Sequence, residues 1–314
     1  MNLEALAQKS QQLTQKHFGK TILLYAPLYL SNECNNQCVY CGFNSKASGK
    51  RISLTVDRAF EEAKILSKMG FKHILLVSGE RKDIISMDYL KKLVVKLRDL
   101  FSSISIEIYP MSEDEYRELF LAGVDGLTIY QEVYDREIYK KVHPFGPKSD
   151  YDFRFETPER GGRAGFHRIN IGFLLGLGEW QKELQALASH AQYLQKKFWK
   201  SQISISFPRL RGFEPLNPVT DKALVEMICR LRILLPTVGM TLSTREPAEL
   251  RDNLIPLGIT QMSAASSTAP GGYSSSDSAS EQFSVADHRS VAEVSAAIFA
   301  KGYEPVFKDW DRNL

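Results

Sequence analysis

The sequence predicts a single α/β domain that folds as a (β/α)8 barrel of the TIM type, with a short helix before the barrel and a lid and tail after it. Eight apolar segments with strand character alternate with amphipathic helical segments, and this alternation favours a parallel sheet. Polar clusters follow several of these strands, at the ends where barrels bind their ligands. The 314 residues contain no obvious linker and match the size of one barrel domain.

The N-terminal helix and the first strand come before the main run of β/α units. Leu3, Leu6 and Leu13 recur near helical spacing, and Gly19 is placed to end a helix over residues 2–18. We therefore assign residues 1–20 to an N-terminal helix and residues 21–314 to the barrel with its C-terminal loop and tail. Residues 21–25 are a short apolar run, which predicts a buried first strand.

The remaining elements follow the same alternation, with a glycine or a polar turn closing most helices. We predict strands at residues 73–77, 103–109, 126–130, 168–174, 202–207, 240–242 and 261–264. We predict helices at residues 55–69, 87–101, 113–122, 152–164, 180–198, 221–235, 248–257 and 285–301. Residues 263–280 are rich in serine and glycine, but Pro270, Gly271 and Gly272 have turn chemistry, so we expect an ordered lid here rather than a disordered insert.

Charge and composition exclude several classes of function. The balance of 40 basic against 37 acidic residues gives a net charge of +3, too small to favour nucleic acid or a membrane surface as a partner. No apolar run reaches the ~20 residues that span a bilayer, and the N-terminus has no signal-peptide pattern. Because the few cysteines are clustered rather than paired, we expect a reducing, cytoplasmic location.

Three of the four cysteines lie within eight residues, at Cys34, Cys38 and Cys41. Three thiolates on one short loop can hold three irons of a cubane cluster and leave the fourth iron without a protein ligand. Structural zinc is the competing interpretation, but it needs four ligands and no histidine or second cysteine pair lies nearby. Three incidental buried thiols are the remaining alternative. The fourth cysteine, Cys229, falls on an apolar helical pattern and is expected to be a small buried side chain.

This C-x3-C-x2-C spacing, with Tyr40 before the last cysteine, resembles the signature of the radical S-adenosylmethionine (SAM) superfamily. The resemblance implies a radical SAM barrel with a [4Fe-4S] cluster on Cys34, Cys38 and Cys41 and with SAM bound at the open iron. Reduction of the cluster then cleaves SAM to a 5′-deoxyadenosyl radical. The spacing by itself indicates only a site with three thiolates.

Other polar groups after strands are candidates for binding SAM, each against a plainer alternative. Ser78, Gly79 and Glu80 resemble the superfamily's GGE-type element for the SAM amino group, although they also fit an ordinary turn. Arg163 is a candidate for the SAM carboxylate, because an arginine can clamp a carboxylate with two hydrogen bonds, and Glu156 is a candidate for the ribose hydroxyls. Both also fit a solvated helix face. The segment that contains Gly176 and Gly178 resembles the adenine-contacting segment.

A second set of residues is a candidate for binding a substrate. Ser243 and Arg245 follow the seventh predicted strand, where a guanidinium and a hydroxyl form a trap for a carboxylate. Arg209 ends the sixth strand and Gln131 the fourth. With Glu132, they are candidates to orient another part of the substrate. The alternative for the arginines is pairing with surface carboxylates.

Longer strings resemble one family within the superfamily, the tyrosine lyases of thiazole biosynthesis (2-iminoacetate synthases). They are PLYLSNECNNQCVYCGF, LLVSGE, YQEVY, FETPERGGRAG, SISFPRLRGFEP, LSTRE, SAASSTAPGGY and EPVFKDWD. The resemblance implies cleavage of the Cα–Cβ bond of L-tyrosine to 2-iminoacetate and p-cresol, with Arg245 and Ser243 at the substrate carboxylate. It also implies a thiazole synthase (ThiG) as partner and a flavodoxin- or ferredoxin-type reductant.

Three other functions compete with this one. The tyrosine lyase that matures [FeFe]-hydrogenase needs a C-terminal domain with cysteines, and no cysteine follows Cys229 in this sequence. A radical SAM lyase for another aromatic amino acid and a non-catalytic iron–sulfur electron carrier are the other two. Members of the family that the sequence resembles often carry a longer N-terminus and a longer segment after Arg211, so we expect partner docking and access to the barrel mouth to differ in this protein.

Overall fold

The computed structural model describes residues 2–274 and 279–308, and over these residues the predicted barrel is confirmed. The strands are β1 (Thr21–Ser31), β2 (His73–Ser78), β3 (Ser103–Glu107), β4 (Gly126–Glu132), β5 (Arg168–Phe173), β6 (Gln202–Ser206), β7 (Gly239–Leu242), β8 (Gln261–Ser263) and β9 (Glu304–Val306). Strands β1 to β8 are parallel neighbours in chain order, and β1 pairs with both β2 and β8, which closes the barrel.

Helices lie between the strands, as a right-handed β/α alternation requires. They are α1 (Leu3–Phe18), α2 (Val56–Lys68), α3 (Met87–Leu97), α4 (Glu113–Ala122), α5 (Arg136–Val142), α6 (Tyr151–Phe155), α7 (Thr157–Ala164), α8 (Trp180–Lys197), α9 (Asp221–Leu234), α10 (Ala248–Leu254) and α11 (Val291–Ala300). Short 3-10 helices occupy Pro147–Ser149 and Ile255–Leu257. Within the described residues, no helix combines the length and the apolar composition of a membrane span.

The structure differs from the sequence prediction mainly around the first strand. β1 continues to Ser31 rather than ending near Tyr25, because β2 pairs with its second half from Ala26 onwards, while β8 pairs with residues 23–25. Pro27 lies inside this strand and is tolerated there. β9 was not predicted, and it adds an outer strand beside the start of β1, pairing Thr21 with Glu304 and Leu23 with Val306. The division of the chain at residue 20 stays a prediction.

The space inside the barrel is polar below the ligand-binding end. His73, Ser105, Asn170, Thr241 and Gln261 line it. The His73 imidazole lies 3.0 Å from the Ser105 hydroxyl, and the Asn170 amide donates to Thr241 at 3.1 Å. The large apolar core instead lies between the strands and the surrounding helices. This polar layer forms the floor of the cavity at the carboxyl ends of the strands and separates it from the space at their amino ends.

The C-terminal segment is tied to the barrel by a buried charge cluster. Arg251 on α10 pairs with Asp287, and it also donates to the Ser263 carbonyl at the end of β8. Arg289 pairs with Asp287 at 2.8 Å and with Asp252 at 2.9 Å. The lid predicted over residues 263–280 includes residues 275–278, and the tail includes residues 309–314; both stretches lie outside the described residues.

We expect Asp287→Asn to lower the free energy of unfolding by about 3–5 kcal/mol, because it leaves the fully buried Arg251 without its counter-ion. Burial by itself would raise the pKa of Asp287, but hydrogen bonds from Arg289 and Arg251 outweigh it and hold this pKa at about 2. The stabilisation is therefore complete above the unfolded-state pKa of about 3.9 and is lost as the pH falls towards 2.

Chemical denaturation of wild type and variant at several pH values measures this contribution. Asp252→Asn is the matched control, since Asp252 is partly exposed and its loss is expected to cost about 0–1 kcal/mol. An equal decrease in the free energy of unfolding in the two variants would show that the buried Arg251–Asp287 pair contributes no more than the partly exposed one.

Candidate functional site

The cysteine loop leaves the end of β1 and is held against the tip of β2. The Gly79 amide donates to the Ser31 carbonyl at 2.9 Å, and the Asn35 amide donates to the Glu80 carbonyl at 3.2 Å. A Cβ at Gly79 would lie 2.2 Å from the Glu33 carbonyl oxygen and 3.1 Å from the Cys34 Cβ. Only glycine allows this approach, so the strand tip and the cysteine loop form one unit.

The cysteine loop fits an iron–sulfur cluster. Cys34, Cys38 and Cys41 are free thiols. The backbone and side-chain amides of Asn36 donate to Cys34 Sγ at 3.5 and 3.6 Å, and the Phe43 amide donates to Cys41 Sγ at 3.4 Å. Such N–H···S contacts stabilise cluster thiolates and tune the cluster.

The arrangement favours a cluster over a single zinc ion. Structural zinc takes four ligands around one ion, whereas in a cubane each cysteine binds a different iron, and this loop offers three cysteines. Burial raises the pKa of Cys38 to about 12 and that of Cys41 to about 11. A raised pKa favours the protonated thiol. Because only the thiolate binds a metal, each thiol must release its proton when it binds iron.

A buried network of charges connects the cysteine loop to the ends of β2 and β4. Arg154 Nη1 lies 2.9 Å from Glu80 Oε1, and the Asn36 side-chain amide donates to Glu80 Oε2 at 2.8 Å. Arg154 Nη2 lies 3.6 Å from Glu132, and Lys148 Nζ lies 2.7 Å from the same carboxylate. The Lys148 amide in turn donates to Asn36 Oδ1 at 2.8 Å. Each buried charge thus has a partner of opposite sign, as buried charges require.

Glu132 reaches this network through a local irregularity of β4. Its φ is 69°, in the left-handed region that is uncommon for a residue other than glycine. The pairing of β4 with β5 shifts register between Tyr130 and Glu132. Such an irregularity re-aims a side chain, and here it places the Glu132 carboxylate in the lining of the central cavity.

The central cavity lies beside Cys41 at the carboxyl ends of the strands. Ser243 and Arg245 line it after β7, and Tyr40, Cys41 and Lys148 line its other side. The Arg245 guanidinium lies over the Phe283 ring at 3.5 Å from the ring centroid. Among the described residues it has no hydrogen-bond or ion-pair partner, although its backbone amide donates to the Ser243 hydroxyl at 3.4 Å. A guanidinium held by an aromatic ring and open to a cavity is suited to bind a carboxylate.

Residues from the C-terminal segment cover the cavity. Gln282 and Phe283 line it, together with Ser266 and Thr268. The Tyr29 hydroxyl donates to Gln282 Oε1 at 2.7 Å, and the Gln282 amide donates to the Thr268 carbonyl at 3.1 Å. The described part of the predicted lid is therefore attached to β1, which restricts the entry of water to the cavity.

The structure places the side chains of Arg163 and Glu156 at the surface and not in the lining of the central cavity. Arg163 lies on the outer side of α7, where it pairs with Glu113 and Glu159. The Glu156 side chain is 66% exposed and faces Arg160. Both side chains therefore lie towards solvent, although Arg160 between them is buried. Arg154 and Lys148 are the cations that the fold brings to Glu80 and Glu132.

Arg209 is also placed differently from the prediction. Its guanidinium is held by Glu246 and lies 2.6 Å from Asp221, so its donors are taken by protein carboxylates. Arg211 pairs with the same Glu246 at 3.1 Å. Of these partners only Asp221 is a surface carboxylate, the alternative given for Arg209, whereas Glu246 is buried.

The other predicted residues divide between the cavity and its surroundings. Tyr40 lines the cavity, and its hydroxyl lies 2.6 Å from His143 Nε2. Ser78 is buried, and its hydroxyl donates to the Gly79 carbonyl at 3.0 Å. Gln131 is buried at the end of β4 but does not line the central cavity. Gly176 and Gly178 lie in the turn after β5, where a Cβ would meet Leu210 and Glu183, respectively.

Sequence inspection missed Lys148 and Glu107 and did not single out Arg154. Arg154 stands in a run of charged residues, and the spacing of these residues does not show which of them are buried. Lys148 follows α5, a helix that was not predicted. Glu107 was treated as part of a strand, yet it is the last residue of β3 and lines the cavity. Its position at the carboxyl end of a barrel strand was the available signal.

Comparisons with known proteins agree with this site. A model of the radical SAM superfamily matches residues 28–191, and a model of the Biotin and Thiamin Synthesis associated domain matches residues 206–304. The chain is 44% identical to a 2-iminoacetate synthase of Escherichia coli strain K12, over 99% of this chain and 84% of that relative. It is also 44% identical to a 2-iminoacetate synthase of Salmonella typhimurium strain LT2, over 98% of this chain and 83% of that relative.

Two solved structures have a fold similar to that of this chain. HydG, a maturase of the [FeFe]-hydrogenase, superposes with a TM-score of 0.93 at 31% identity, over 98% of this chain and 69% of that chain. Methylornithine synthase (PylB) superposes with a TM-score of 0.78 at 20% identity, over 97% of this chain and 89% of that chain, and this likeness concerns the fold alone.

We expect Gly79→Ala to lower the free energy of unfolding by about 1–3 kcal/mol, because the added Cβ must push the Glu33 carbonyl and the cysteine loop away. The displaced loop should also bind less iron. Iron and sulfide per chain after anaerobic reconstitution, measured with a denaturation curve, check both effects.

Gly302→Ala is the matched control, since a Cβ there meets nothing within 4 Å although its φ of +75° makes alanine unfavourable. It should keep its iron. Full iron loading of Gly79→Ala would show that the cysteine loop does not depend on this contact.

Proposed function

Since the chain belongs to the radical SAM superfamily and, within it, to the 2-iminoacetate synthase family, we propose that it cleaves the Cα–Cβ bond of L-tyrosine to 2-iminoacetate and p-cresol. The identity of 44% to two curated synthases, over nearly the whole chain, supports this reaction. The observation that carries it in the structure is the Arg245 guanidinium, which is open to a covered cavity beside Cys41.

The residues around the cysteines suit a [4Fe-4S] cluster and SAM. Cys34, Cys38 and Cys41 would hold three irons and leave one for SAM. Glu80, at the tip of β2, is the candidate for the SAM amino group, and Lys148 or Arg154 is the candidate for its carboxylate. When bound, the cluster and SAM supply a 5′-deoxyadenosyl radical that removes a hydrogen atom from the substrate.

The protein's own contribution is binding, orientation and the exclusion of water. Arg245 would bind the tyrosine carboxylate with two parallel hydrogen bonds, and the Ser243 hydroxyl would add a third donor. The stacking of the guanidinium on Phe283 limits its rotation, so the Cα and amino group that follow the carboxylate are held in one place. Gln282 and Phe283 cover the cavity, which protects reactive intermediates from side reactions.

Release of an imine product suggests a partner that uses it directly. 2-Iminoacetate hydrolyses in water, so we propose that it passes to a thiazole synthase (ThiG) for thiamine biosynthesis. A flavodoxin- or ferredoxin-type protein is the proposed electron donor. The cytoplasmic location stays a prediction.

We expect the anaerobically reconstituted protein to form p-cresol and 5′-deoxyadenosine when it is given dithionite, SAM and L-tyrosine. Cys38→Ser should form neither product, because one iron of the cluster loses its thiolate ligand. Arg245→Gln should lower kcat/KM for p-cresol formation by at least about tenfold, the effect of losing a hydrogen bond to a charged group. Product analysis by chromatography measures all three proteins.

Cys229→Ala is the control for the cysteine variant, because Cys229 is buried on α9 away from the loop. It should retain the iron and the activity. Formation of 5′-deoxyadenosine without p-cresol would point to another substrate. No SAM cleavage in a fully loaded protein would favour an electron carrier.

A further inference from the structure

Glu107 faces Arg245 across the barrel. Glu107 is the last residue of β3, and Arg245 follows β7. In the order of the eight barrel strands these two are four apart, so they stand on opposite sides. Both side chains line the central cavity. A ligand whose carboxylate lies at Arg245 therefore directs its other end towards Glu107.

The Glu107 carboxylate has no hydrogen-bond or ion-pair partner in the described part of the chain. The tyrosines around it do have partners: the Tyr29 hydroxyl donates to Gln282, and the hydroxyls of Tyr25 and Tyr130 interact with Ser263 and Ser206. A carboxylate deep in a cavity needs a donor. In this arrangement the hydrogen-bond donor to Glu107 would come from a bound ligand.

The far end of a tyrosine is its phenol. Its amino group is attached to the same carbon as the carboxylate and so stays near Arg245, out of reach of the opposite strand. We propose that Glu107 accepts a hydrogen bond from the substrate's phenol hydroxyl and thereby selects tyrosine over phenylalanine. This inference rests on the proposed function, because that function supplies the substrate.

Selectivity follows from the cost of an unsatisfied charge. Phenylalanine would bury the Glu107 carboxylate against a ring edge with no donor, and sites built for a substrate hydroxyl reject the analogue without it strongly. Arg245 does not discriminate, because both amino acids carry the same carboxylate. The two cavity walls thus have different tasks: the β7 side binds the part that all amino acids share, and the β3 side recognises the side chain.

The surroundings of Glu107 suit a proton acceptor at neutral pH. Burial and then the Glu132 carboxylate raise the pKa of Glu107, and the nearby Arg245, Lys148 and Arg154 oppose this, with a net pKa of about 7. The phenols of Tyr25, Tyr29 and Tyr130 are the other titratable groups that interact with it. Above pH 7 the carboxylate form, which accepts from a phenol, predominates.

The proposal is tested by comparing the binding of tyrosine and phenylalanine to the wild-type protein and to variants of Glu107. Binding of tyrosine and of phenylalanine is measured by equilibrium dialysis on reconstituted protein with SAM and without reductant, so that no turnover occurs. Glu107→Ala should weaken tyrosine binding by about tenfold to a hundredfold. It should not weaken phenylalanine binding, because it removes a carboxylate that phenylalanine leaves without a donor. Glu107→Gln keeps an acceptor oxygen and should recover part of the tyrosine affinity.

Two controls sharpen the cycle. Glu113→Ala removes an exposed carboxylate on α4 and should leave both affinities unchanged. Wild-type affinity for tyrosine should fall as the pH drops below about 7, while the affinity for phenylalanine should not fall, because protonation removes the unpaired charge. Glu107→Gln should remove this pH dependence.

Equal losses of tyrosine and phenylalanine binding in Glu107→Ala, or no loss of either, would overturn the proposal. This failure differs from that of the proposed function. A protein that forms p-cresol but shows equal losses remains a tyrosine lyase that recognises the phenol by other means. A protein that shows the expected cycle but forms no p-cresol recognises tyrosine without cleaving it.

Discussion

The pairing of β1 with both β2 and β8 is the constraint on which the site depends. It closes the barrel, and closure brings the carboxyl ends of eight strands to one rim. β1 also continues into the cysteine loop, so the same strand that closes the barrel places Cys34, Cys38 and Cys41 beside the tip of β2. The close contact between Gly79 and the Glu33 carbonyl then joins the loop to that tip. A looser sheet would leave the cysteine loop and the cavity free to move apart.

Charge is distributed unevenly around this rim, and the distribution divides the work of the site. On the side of the cysteines, Glu80, Arg154, Glu132 and Lys148 satisfy one another in a buried network, which keeps the loop and the strand tips in place. Arg245 and Glu107, on opposite walls of the cavity, have no hydrogen-bond or ion-pair partner among the described residues. Protein groups that are fully paired give rigidity, whereas those left unpaired in a covered cavity are available to a ligand.

The sequence predicted the architecture well because the signals for it are local. Alternation of apolar strands with amphipathic helices requires only the chain itself, and so does the spacing of three cysteines within eight residues. Placement of Ser243 and Arg245 in the cavity also follows from their position after a strand, since the ends of parallel strands meet at one rim. The strand β9 and the helix α5 were missed because they are short, and short elements depend on tertiary neighbours.

What only the tertiary structure decided is which charged side chain faces which. Arg154, Arg160 and Arg163 look alike in the run FRFETPERGGRAG, but the run forms two helices, and Arg154 on the first pairs with Glu80 whereas Arg163 on the second pairs with Glu113 at the surface. Arg209 follows a strand as Arg245 does, yet Glu246, directly after Arg245 in sequence, takes its guanidinium. Sequence determines the residues that a strand end can offer; the partner of each depends on elements far apart in the chain, because electrostatic pairing acts through space.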